Sequence, residues 1–151
     1  MQVKICGITS LEDALLTAEN GAAAVGVVFY PPSPRFIEPQ KAAGISKALP
    51  ARLVRVGVFV NAKESCVWRT FEDCRLDMIQ LHGDESPAYC RQFPKNRTIK
   101  AMTLKTDEDV RRAGDFDVAA IMADARHAGL YGGTGKTADW DLAGRIAGQV
   151  D

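Results

Sequence analysis

The chain has 151 residues, 46% hydrophobic and 25% charged, with 19 basic side chains against 19 acidic ones. That composition suits a soluble domain with one core, and its balanced charge supplies no field to attract nucleic acid or an anionic membrane. The longest apolar stretch, residues 22–30, is too short to span a bilayer, and Met1 runs straight into a strand pattern, so a cytoplasmic protein without a targeting segment is expected.

The first stretch, Val3-Lys4-Ile5-Cys6-Gly7-Ile8-Thr9, reads as a strand whose alternate faces carry Val3 and Ile5 on one side and Lys4 and Cys6 on the other. A lysine and a thiol on one face of an apolar strand point to a polar centre in which the cation favours a thiolate. Thr9-Ser10 then caps a helix with Leu11, Ala14, Leu15 and Ala18 at helical spacing, closed by Asn20-Gly21. A second strand is expected over 24–30. The proline-stiffened loop Pro31-Pro32-Ser33-Pro34-Arg35 follows, presenting one arginine ahead of a helix over 39–49 that Pro50 stops.

The pattern repeats with a strand over 53–60 and a helix over 63–74, then a strand over 77–81, His82-Gly83, and a helix entered through Ser86-Pro87. A strand over 98–102 precedes a helix capped near Thr106-Asp107. A sixth strand over 118–123 ends at Asp124, before a glycine-rich loop and a last helix near 139–147. Six strands alternating with helices mean βα units and a parallel sheet, either open and doubly wound or part of a (β/α)8 TIM barrel. Parity favours the barrel. Lys4 and Cys6 share a face, Gln80 and His82 share another, and Asp124 stands in phase with Ala120 and Met122, so five polar residues gather at strand ends where barrels keep their chemistry.

These residues carry a resemblance. The run from Val3 to Thr9, the Ser33-Pro34-Arg35 loop, Val56-Gly57-Val58-Phe59-Val60, Ile79-Gln80-Leu81-His82-Gly83, and Tyr131-Gly132-Gly133-Thr134-Gly135-Lys136 with Asp139-Trp140 together resemble the phosphoribosylanthranilate isomerases of tryptophan biosynthesis, along the whole chain. The resemblance implies an Amadori rearrangement of N-(5-phosphoribosyl)anthranilate to 1-(2-carboxyphenylamino)-1-deoxyribulose 5-phosphate, without metal or organic cofactor. It implies Asp124 as general acid and Cys6 as general base, the two groups that such chemistry needs. It also implies that Arg35 binds the anthranilate carboxylate, that Lys4, Gln80 and His82 line the pocket, and that Gly132 and Gly133 belong to a loop closing over the substrate. The expected partner is a small phosphorylated molecule, with the complete protein a monomer or homodimer.

Cys6, Cys66, Cys74 and Cys90 are irregularly spaced, with no C-x-x-C pair, and suggest neither a zinc site nor a disulfide framework. Closed barrels run from roughly 200 residues upward, so residues 1–151 are expected to be a single barrel domain that is incomplete at its C-terminus, with the phosphate-binding residues beyond Asp151. Two other functions fit parts of the pattern. Another phosphosugar-isomerase barrel would be expected to use paired aspartates, against which Cys6 argues. A truncated, non-enzymatic α/β module would need neither the thiol nor the acid.

Overall fold

The computed structural model describes residues 2–124 and Gly144. The fold is α/β. Its elements are β1 (Lys4–Cys6), α1 (Leu11–Glu19), β2 (Ala24–Val28), α2 (Pro39–Ala48), β3 (Val54–Phe59), α3 (Glu64–Asp73), β4 (Met78–Leu81), α4 (Pro87–Cys90), β5 (Thr98–Thr103), α5 (Asp107–Ala113) and β6 (Ala120–Asp124). The strands neighbour one another in chain order, β1-β2-β3-β4-β5-β6, and β1 with β2, β2 with β3, and β5 with β6 pair in parallel. No described helix is long and apolar enough to cross a membrane. The expected last helix lies outside the described residues.

The chain forms two compact units, one over Met1–Gln80 and one from Leu81 onward. In the first, local chemistry starts and stops each helix. Ser10 Oγ accepts from the Asp13 N–H at 3.1 Å and so satisfies an orphan donor at the start of α1. Pro39 opens α2, where a missing N–H costs nothing, and Pro50 forces Leu49 into extended backbone with ψ 143°. The strands bury Val25, Val27, Val56, Val58 and Ile79, each worth about 1.5–3 kcal/mol against exposure.

The apolar residues at helical spacing in α1 do not all go inside. Ala14 and Ala18 are buried, whereas Leu11 and Leu15 are 41% and 37% exposed. On β1, Val3 and Ile5 are each 43% exposed. β1 stands first in the strand order and hydrogen-bonds β2 on one side, so the apolar parity of β1 is real but largely uncovered among the described residues.

In the second unit, α4 is a single turn rather than a full helix, because Pro94 follows within four residues of its end. α5 begins with a complete capping box: Thr106 Oγ1 accepts from Asp109 N, and Asp109 Oδ2 accepts from Thr106 N. Bonds donated to the Asp109 carboxylate by the Lys105 N–H first, then by the Thr106 hydroxyl and N–H, hold that carboxyl below the usual range. Leu104, Val110 and Ala113 form a small core, packed by Met102, Ile121 and Ala123 from one face of β5 and β6. The other face of β6 carries Met122 and Asp124, in register with Ala101 and Thr103.

Candidate active site

In the first unit the site is built on the carboxyl end of β1. Cys6 pairs in register with Gly26 of β2, and a Cβ on Gly26 would lie 2.8 Å from Cys6 Sγ. The glycine therefore makes room for the thiol. Gly7 follows with φ +91°, a conformation that side chains resist, and lets the chain turn out of the strand.

The Ser33-Pro34-Arg35 loop folds onto that turn. Phe36 N donates to Ser33 O and Arg35 N donates to Ser33 Oγ within the loop, and Ile37 N returns to Val28 O, tying the far end of the loop to β2. Arg35 then lies across Gly7, so close that a Cβ there would sit 2.9 Å from Nε, and its Nη1 donates to Cys6 O at 3.1 Å. Thus the arginine expected to meet a carboxylate is anchored to the residue expected to act as base.

Lys4 projects from the same face as Cys6 and donates from Nζ to Gln80 Oε1. Gln80 is 1% exposed. Burial lowers the Lys4 ammonium from its ordinary value, and a negative charge on Cys6 would act in the opposite direction. The structure therefore joins Lys4 to Gln80 as well as placing it beside the thiol.

In the second unit, His82 follows directly on β4, and its Nε2 lies 2.9 Å from Asp124 Oδ2 at the end of β6. The sequence reading had both residues but not their pairing. It missed Lys100 and Glu85, which form a buried ion pair at 3.0 Å behind His82-Gly83. A lysine within the apolar run of β5 was the same anomaly that singled out Lys4 on β1, and would have flagged it. A cavity of about 220 Å³ lies nearby, lined in part by Gly83, Glu85, Lys100, Thr103 and Phe116. Thr103 Oγ1 is buried with no hydrogen-bond partner among the described residues. Gly132 and Gly133 lie outside the described residues.

Parallel strands alternating with helices, with ionisable side chains at their carboxyl ends, define the (β/α)8-barrel class of enzyme. The profile of the N-(5′-phosphoribosyl)anthranilate isomerase family matches residues 3–148, and the chain belongs to that family. It is 45% identical to the N-(5′-phosphoribosyl)anthranilate isomerase of Syntrophus aciditrophicus, covering 96% of this chain and 63% of that one. It is 47% identical to that of Citrifermentans bemidjiense, covering 98% and 71%. This chain thus spans about two thirds of the length of these relatives.

Among solved structures, the phosphoribosyl anthranilate isomerase of Thermus thermophilus superposes with a TM-score of 0.85 at 38% identity, covering 98% of this chain and 72% of that one. A phosphoribosyl anthranilate isomerase in complex with reduced 1-(o-carboxyphenylamino)-1-deoxyribulose 5-phosphate gives 0.76 at 43% identity, covering 82% and 64%. Monomers generated from the dimeric enzyme of Thermotoga maritima give 0.75 at 41% identity, again covering 82% and 64%.

Proposed function

We propose that this chain carries the acid–base groups of an isomerase that converts N-(5-phosphoribosyl)anthranilate to 1-(2-carboxyphenylamino)-1-deoxyribulose 5-phosphate, and that residues 1–151 are the greater part of one barrel domain. Asp124 gives a proton to the ribose ring oxygen as the C1–O bond breaks, and the anilino nitrogen lone pair forms the C1=N bond of an iminium ion. Cys6 Sγ removes the proton on C2, and those electrons neutralise the iminium to an enolamine, which tautomerises to the ketone. Proton transfers alone balance the reaction.

The observation that carries this reading is the 2.9 Å contact between His82 Nε2 and Asp124 Oδ2 in a chain whose family match runs from 3 to 148. A carboxyl group that must deliver its proton to one ring oxygen gains from a fixed rotamer, and the imidazole supplies it. Arg35 takes the anthranilate carboxylate, since a planar guanidinium matches a carboxylate better than an ammonium does. Lys4 and Gln80, joined by their hydrogen bond, bind substrate beside the thiol, and Gly132 and Gly133 add to substrate binding. The likeness to a structure holding a reduced, phosphorylated product analogue supports a small phosphorylated substrate. The likeness to monomers generated from an enzyme described as dimeric supports a complete protein that works as a monomer or homodimer.

The test is loss of anthranilate-adduct fluorescence in the full protein. Cys6→Ala and Asp124→Asn should each lower kcat by about 10²- to 10⁴-fold while product-analogue affinity stays within a few-fold. Full turnover by either variant would overturn the assignment.

A further inference from the structure

Lys100 and Glu85 are only 3% and 7% exposed. Burying two charges costs several kcal/mol for each ion, recovered only where hydrogen bonds are nearly complete. Here they are. Lys100 Nζ lies 3.0 Å from Glu85 Oε2, 2.9 Å from Gly83 O, 2.9 Å from Ala101 O and 3.3 Å from Leu81 O. Glu85 Oε2 also accepts from Gly83 N at 2.8 Å.

These partners share one location. The Leu81 carbonyl belongs to the peptide that enters His82, and the Gly83 N–H belongs to the peptide that leaves it. One ammonium and one carboxylate therefore hold the backbone on both sides of the imidazole, whose Nε2 meets Asp124. A buried pair kept for stability alone is often replaced by apolar groups without loss. A pair that grips the two peptides flanking a site residue has a geometric task.

We infer that Lys100 and Glu85 are positioning residues that set the backbone at His82 and thereby the contact between His82 and Asp124. The catalytic consequence rests on the reading of Asp124 as the acid, whereas the positioning itself does not. The role inferred for the pair acts through His82 and requires no contact with the reacting atoms.

The experiment reads the His82 ring by nitrogen NMR in protein labelled at histidine, which holds two such residues, His82 and His127; His127→Gln assigns the signals, and Asp124→Ala marks the position of an imidazole that has lost its partner. Lys100→Met, and the double variant Glu85→Gln/Lys100→Met that leaves no stranded charge, should move the His82 Nε2 signal at least halfway to the Asp124→Ala position. The methyl signals of Val110, in the core beneath α5, should stay in place. Should Lys100→Met fail to fold, the double variant and the milder Glu85→Gln carry the same test. In the full isomerase, kcat should fall roughly 10- to 100-fold with KM within about threefold. A folded variant with the His82 signal unmoved would overturn the proposal. A displaced signal with unchanged kcat would uphold the positioning and count against Asp124 as the acid.

Discussion

The Arg35 guanidinium crosses Gly7 and donates to the backbone carbonyl of Cys6 at 3.1 Å, so the cation after β2 and the thiol ending β1 form one local assembly. Gly7 is what permits it, by its φ of +91° and by lacking a Cβ where the arginine passes. Gly7→Ala should cost about 1–3 kcal/mol in denaturant unfolding, since strain at positive φ adds to the clash. It should also raise KM by roughly tenfold, because Arg35 must move. An alanine variant with unchanged KM would show that the arginine does not need this path.

Removing the guanidinium is a cleaner change. Arg35→Met should raise KM sharply and abolish the preference for the carboxylated substrate over an analogue lacking that group. Arg35→Lys should recover only part of it, because an ammonium cannot make the planar two-bond contact. Competition kinetics between the two substrates decide the matter, and a methionine variant that still prefers the carboxylate would place its binding elsewhere.

His82 and Asp124, 2.9 Å apart, should behave as a unit. His82→Ala is expected to lower kcat by roughly 10- to 100-fold. Adding it to Asp124→Asn should cost little more than Asp124→Asn alone, as for groups acting through one another. Additive losses in the four-member cycle would mean that the imidazole acts on substrate independently of the carboxylate.

Burial pushes the Cys74 thiol up to about 11, aided by Asp73, and Cys74 Sγ donates to Pro39 O at 3.3 Å. Burial likewise pushes Cys90 up to about 11, with Glu85 acting in the same direction and Lys100 against it. Unfolded thiols ionise near 9.0, whereas these stay protonated in the fold. Their contribution to stability is thus complete below pH 9 and is lost as the pH rises toward 11, by up to about 2 kcal/mol for each thiol. Urea unfolding from pH 8 to 11 should show this fall, and Cys74→Ala/Cys90→Ala should flatten it. With iodoacetamide at neutral pH, Cys6 and exposed Cys66 should be modified while Cys74 and Cys90 are spared; rapid labelling of either buried thiol would contradict their enclosure.

Much of this protein was legible in its sequence because the determining interactions are local. Ser10, Pro39, Pro50 and the Thr106–Asp109 box begin or end helices through bonds and clashes within four residues. The alternation along β1 put Lys4 and Cys6 on one face by strand geometry alone, and the ordered motifs were enough to name the family. Only the tertiary structure decided which polar groups meet. Lys4 finds Gln80 across 76 residues, His82 finds Asp124 across 42, and Lys100 closes on Glu85 across 15. Such pairings follow from strand order and register, which residue type and spacing leave open. The same holds for burial: Ala14 and Leu15 look alike in a helical pattern, but which of them is covered depends on the elements that pack against α1.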